Sequence, residues 1–142
     1  MPLPEPEPGL VIRYDYLWAS EAAQRREHGK DRPACLVAAS DETANPRFVL
    51  LLPITHTRPR GDTVGIAIPA AACKAIGLDE QPCWVVLSES NVDEWPSPNL
   101  AQIPGCRNVF SYGFLPPRLF ARIREELLAR VQSGRNRPVS RR

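Results

Sequence analysis

Cysteine and histidine are scarce in this chain, and long apolar runs are absent. Four cysteines and two histidines are spread over 142 residues. Cys35, Cys73, Cys83 and Cys106 form no C-x-x-C pair and no Cys/His cluster. Their spacing predicts neither a zinc site nor a disulfide framework, and no metal or other cofactor is expected. No apolar stretch approaches the ~20 residues that a membrane-spanning helix needs. The opening M-P-L-P-E-P-E-P lacks both the basic and the apolar region of a signal peptide. A cytoplasmic domain is the expectation. Charge of one sign is also lacking, because the net total is only +2. Residues 118–142 hold eight arginines against Glu125 and Glu126, a balance of +6, which leaves −4 for the preceding 117 residues. Basicity is therefore a property of the tail, and by itself it is weak support for nucleic-acid binding.

Proline is abundant, at 16 residues, four of them within the first eight. Residues 1–9 read as an extended, mobile lead-in. Next, L-V-I-R-Y-D-Y-L-W sets Leu10, Ile12, Tyr14, Tyr16 and Trp18 on one face, with Arg13 and Asp15 on the other. That period-two pattern of aromatic and β-branched residues predicts a half-buried strand. Ala19–Asp31 is polar and reads as a long loop or a short frayed helix. Ala34–Ala39 predicts a strand buried on both sides, and Arg47–Ile54 a third strand whose Pro53 suggests an end or an edge. After the polar loop T-H-T-R-P-R-G-D, a short strand is expected over Thr63–Ile68 and a helix over Pro69–Ile76, stopped by Gly77. Cys83–Glu89 predicts a fifth strand, and Asn91–Asn108 reads as mostly irregular. In the last helix, from about Pro117, Phe120, Ile123, Leu127 and Val131 form an apolar stripe. The arginine-rich residues 133–142 are expected to be disordered. Five short, locally joined strands predict a mostly β fold, a small antiparallel barrel or curled sheet, with residues 10–132 as its single domain.

Three stretches carry a family resemblance. K-D-R-P-A-C-L-V-A-A resembles the MazF/PemK toxin pattern of an Arg-Pro step leading into an apolar strand. V-L-L-L-P-I-T resembles that family's apolar strand ending in Thr or Ser. C-K-A-I-G-L-D-E-Q-P-C-W-V-V-L-S-E is similar to its helix-Gly-Leu segment feeding a further strand. The order of elements agrees over roughly residues 10–132. The resemblance implies an SH3-like barrel with a C-terminal helix, a homodimer, and metal-independent cleavage of single-stranded RNA. It also implies a cognate antitoxin protein that blocks the site, as in a type II toxin–antitoxin pair.

Metal-free RNA cleavage needs a base for the 2′-hydroxyl, a cation for charge on the phosphorane, and an acid for the leaving 5′-oxygen. By the resemblance, Arg32 is the cation, since a guanidinium donates two parallel hydrogen bonds to phosphate. Thr55 would hydrogen-bond the scissile phosphate. His56 stands beside it, and histidine titrates near neutrality, so it is the candidate proton shuttle. Arg25, Arg26, Arg58 and Arg60 are candidates to track an RNA backbone, and Glu89 to act as a base or to orient Arg32. Blander readings stand beside these: a surface salt-bridge arginine, a turn-capping threonine, a solvated histidine and a polar strand end. Two alternatives share the fold. One is a non-catalytic RNA- or protein-binding member, and the more remote one is a topoisomerase-poisoning toxin.

Overall fold

The computed structural model describes residues 3–78 and 82–141. Met1 and Pro2 of the lead-in, Asp79–Gln81 of the helix-to-strand segment, and Arg142 of the tail lie outside the described residues. The elements in chain order are β1 (Leu10–Tyr16), α1 (Ala19–Ala23), β2 (Lys30–Ala39), β3 (Arg47–Thr55), β4 (Gly65–Ile68) and α2 (Ala70–Ala75). They continue as β5 (Cys83–Val86), β6 (Glu89–Trp95), β7 (Ser111–Phe114), α3 (Pro117–Gln132) and β8 (Arg137–Ser140). The protein is mostly β with three helices among the described residues. Its strands join in one sheet in the order β4-β5-β3-β2-β1-β7, which does not close. β6 pairs with β3, and β8 adds to β6 in parallel, while the other strand pairings among the described residues are antiparallel. Among the described residues no helix is long and apolar enough to cross a membrane.

Period-two alternation places two cores on opposite faces of β1, β2 and β3. Leu10, Ile12, Tyr14 and Tyr16 join Ala34, Leu36, Val49, Leu51 and Trp95 in one, with Trp18 packed against it. Val11, Cys35, Val37, Leu52 and Ile54 belong to the other, which α2 and α3 cover through Ala72, Cys73, Ile123 and Leu127. The apolar face expected for β1 is thus present, and its opposite face is buried too at Val11. In α3 the stripe narrows at its end: Ile123 and Leu127 are buried, whereas Val131 is exposed.

Among the described residues eight strands stand where five were expected, and each difference has a physical cause. The segment Asn91–Asn108, expected to be irregular, begins inside β6. The buried residues of β6 before Trp95, namely Ser90, Asn91 and Asp93, are polar and so give no hydrophobic signal, yet each finds a partner. Asn91 pairs with the Leu17 backbone like a strand residue, donating to the carbonyl at 2.7 Å and accepting from the N–H at 2.9 Å. The buried Asp93 carboxylate accepts from Tyr14 (2.7 Å), Ser97 (2.6 Å) and Asn99 (3.0 Å). The fifth strand, expected over Cys83–Glu89, is interrupted at Leu87 and Ser88, so β5 and β6 divide one edge of β3 between them. Pro53, taken as an end or edge marker, is interior. It lies opposite Ala34, between Leu51, where β6 pairing stops, and Ile54, where β5 pairing begins. No edge N–H is required there, which is what proline tolerates.

The tail, expected to be disordered, forms β8 and seats the Arg141 guanidinium inside the protein. The lead-in, expected to be mobile, is docked at Pro6, which is buried, and at Gly9, which donates to the Leu36 carbonyl at 2.8 Å. Composition alone gave no sign of either partner.

Candidate functional site

A cleft of about 590 Å³ opens where β2 begins and β3 ends. Arg32, Thr55 and His56 all line it, together with Arg13, Lys30 and Tyr112. Arg32 from one stretch of sequence and the adjacent Thr55 and His56 from another therefore border one cleft.

Arg32 lies opposite Tyr14 of β1. The β2–β3 register pairs Cys35 with Leu52 and Ala34 with Pro53, and continued two residues it brings Thr55 opposite Arg32. Thr55 is in turn paired with Trp84 of β5. Directly opposed residues share a face, so Arg32, Thr55 and Trp84 form a row across three strands. At its other end the Arg32 guanidinium carbon sits 5.2 Å from the centroid of the Trp18 ring. Trp18 packs edge-on against Tyr16 at 5.3 Å and 71°.

The state of the Arg32 guanidinium is the notable feature of the row. It is half-buried, and its Nε is enclosed without a hydrogen-bond partner. Burial lowers its pKa, with Glu21 and Tyr16 pulling the other way. An arginine remains cationic under such a shift. The cation thus rests on an aromatic face with hydrogen-bonding capacity unspent. Arg13, on the opposite face of the sheet, is by contrast engaged: it donates to the Tyr112 hydroxyl at 3.0 Å and to the Asp31 carbonyl at 3.3 Å. Beyond β3, the Thr55 hydroxyl accepts from the Thr57 N–H at 3.1 Å, a local turn that sets where His56 leaves the strand.

The remaining candidates are elsewhere. Arg25 is exposed with a left-handed backbone (φ 61°), and Arg26 pairs with Glu21 at 3.3 Å. Arg58 and Arg60 are exposed in the loop after β3. None of the four lines the cleft. Glu89 is committed to the scaffold: one carboxylate oxygen accepts from the Ala19 N–H at 2.8 Å and the Tyr16 hydroxyl at 3.2 Å, tying β6 to the β1–α1 corner. Sequence reasoning assigned no site role to Arg13, Tyr112 or Trp84. No signal in the sequence marked Arg13, because its partner Tyr112 lies 99 residues away.

Burial raises the Glu89 pKa above its ordinary 4.5, outweighing the two hydrogen bonds that lower it. A carboxyl with a raised folded pKa holds its proton more tightly when folded. Its contribution is therefore most favourable at acid pH and declines as pH rises from about 4.5 through the raised value. Glu89→Gln keeps an oxygen for the Ala19 N–H and removes the charge. Urea midpoints measured across that window should fall less steeply with pH in the variant than in the parent. An unchanged slope would show that Glu89 is solvated.

No protein-family model matches the chain, and no curated protein matches it.

Proposed function

We propose that this chain is a cytoplasmic toxin of the MazF/PemK kind, an SH3-like barrel that cleaves single-stranded RNA without a metal ion. The observation that carries the reading is Arg32, half-buried on Trp18 with its Nε unpaired and on the same face as Thr55, both residues lining the cleft. A desolvated cation with an unpaired N–H is suited to an anion whose charge grows during reaction. The resemblance of the sequences around Arg32 and Thr55 to the toxin family supports the same assignment, together with a homodimer and an antitoxin partner.

In the reaction, the 2′-oxygen of one ribose attacks the adjacent phosphorus as its proton is removed. The bond to the 5′-oxygen of the next nucleotide breaks, and that oxygen takes up a proton. A 2′,3′-cyclic phosphate and a 5′-hydroxyl result. Arg32 holds the non-bridging oxygens of the phosphorane, Thr55 orients the phosphate with its hydroxyl, and His56 moves the proton. Glu89 is occupied elsewhere, so no carboxylate base is assigned.

That occupation of Glu89 also favours a second reading, a non-catalytic RNA- or protein-binding member of the same fold. Incubation of a long single-stranded RNA with the protein in EDTA separates the two. The parent should cut, and Thr55→Ala should cut about tenfold to a hundredfold more slowly, the loss expected for one hydrogen bond to a charged group. Intact RNA under those conditions would leave only the binding reading.

A further inference from the structure

Residues 24–29 join α1 to β2, and Arg32 follows shortly after them. Local bonds order the first half of this loop: the Arg25 N–H donates to the Ala22 carbonyl at 2.9 Å and the Arg26 N–H to the Glu21 carbonyl at 3.2 Å. The second half is tied to distant parts of the chain. The Gly29 N–H donates to Asp15 Oδ1 at 2.7 Å. There the loop runs so close over the end of β1 that a β-carbon on Gly29 would come within 2.1 Å of the Tyr16 carbonyl oxygen. The Glu27 carbonyl accepts from the Arg141 guanidinium at 3.0 Å.

Arg141 therefore acts on the loop at two points. It donates to Glu27 itself, and it lies 3.5 Å from the Asp15 carboxylate oxygen that receives the Gly29 N–H. Its other terminal nitrogen donates to Asn91 Oδ1 at 3.1 Å and to the Asp15 carbonyl, which anchors it to β6 and β1. A planar guanidinium fixes several acceptors at once, and here it holds loop backbone against two strands of the sheet. The corner so held carries the surroundings of Arg32. Trp18, on which Arg32 rests, stands at the head of α1, and Glu21 within α1 accepts from the Trp18 N–H at 3.0 Å and favours the Arg32 cation by its charge. We infer that Arg141 is a positioning residue: from a recess formed by Asp15, Asn91 and the Glu27 carbonyl, it fixes the α1–β2 loop and with it the start of β2 that carries Arg32. The recess is thus a binding site for a guanidinium cation, filled by the chain's own tail. The effect on cleavage rests on the ribonuclease reading; the effect on the loop does not.

Hydrogen exchange of the full-length protein, read by mass spectrometry of peptic fragments, follows the loop directly. In Arg141→Ala the amides of residues 24–29 should exchange about tenfold to a hundredfold faster than in the parent, the factor set by one hydrogen bond to a charged group. Residues 56–64, the loop beyond β3, should exchange as in the parent. Arg141→Lys keeps a charge in the recess, should give a smaller acceleration, and serves where Arg141→Ala does not fold. Guanidinium chloride at millimolar concentration, far below the molar range of unfolding, should slow the loop of Arg141→Ala toward the parent rate, and potassium chloride should not. Unchanged exchange in residues 24–29, equal acceleration of both loops, or equal effects of the two salts overturns the inference. Cleavage kinetics supply the second arm. Misplacing Arg32 should lower kcat by about tenfold to a hundredfold with KM little changed, and guanidinium should restore part of it. A loosened loop with unchanged kcat overturns the positioning of Arg32 and leaves the ribonuclease reading intact. A parent that does not cut, with a loop that still depends on Arg141, does the reverse.

Discussion

Arg141→Ala should lower the free energy of unfolding by about 3 kcal/mol or more, the loss typical when one partner of a buried ionic network is removed. The side chain is 3% exposed although it stands second from the end of the sequence. Its guanidinium donates to the Asp15 carbonyl, to Asn91 Oδ1 at 3.1 Å, to the Glu27 carbonyl at 3.0 Å and to the Tyr14 hydroxyl at 3.4 Å. It also lies 3.5 Å from the Asp15 carboxylate and over the Tyr14 ring at 5.5 Å. Alanine would leave these acceptors enclosed without their donor. Lysine should recover only part of the loss, because an ammonium cannot span so many directions. Deleting residues 135–142 should cost at least as much, since it also uncovers the edge of β6. Urea denaturation followed by tryptophan fluorescence measures both. A variant within about 0.5 kcal/mol of the parent, the range of ordinary surface substitutions, would mean that the tail is not docked in solution.

Arg32→Ala should reduce kcat/KM for RNA cleavage by about 10² to 10³, the cost of removing one preorganised donor from a developing anion. The same variant should remain folded, because the Arg32 Nε has no hydrogen-bond partner among the described residues and the guanidinium rests on Trp18. Arg32→Lys retains the charge but not the planar fork, and should restore a minor part of the rate. Steady-state kinetics on a defined RNA, with a parallel urea curve for each variant, gives both quantities. A rate for Arg32→Ala within a few-fold of the parent would remove Arg32 from the site.

The elements that reveal themselves in sequence are those whose burial is apolar and periodic. β1 is one, with Leu10, Ile12, Tyr14 and Tyr16 in a single core. α3 is another, anchored by Ile123 and Leu127. β6 was hidden because its inward residues Asn91 and Asp93 are polar and are satisfied by partners far away in sequence, Leu17 and Tyr14. β8 was hidden for a related reason: four arginines among the last eight residues look like a solvated tail. Only the fold supplies the Asp15, Asn91 and Glu27 acceptors that bury Arg141. The candidate site divides in the same way. Arg32 and Thr55 could be chosen from motif order, since each closes or opens an apolar strand. Arg13 could not, because its role depends on Tyr112 meeting it across 99 residues.

The chemical character of the RNA ends tests the central claim most directly. A long single-stranded RNA is incubated with the protein in EDTA, and the fragments are offered to polynucleotide kinase with labelled ATP, without prior phosphatase treatment. Cleavage by 2′-oxygen attack at the Arg32–Thr55 site predicts new 5′-hydroxyl ends that label at once, and the same ends formed about 10² to 10³ times more slowly with Arg32→Ala. Fragments that label only after phosphatase carry 5′-phosphates, and they or an uncut RNA would contradict the account.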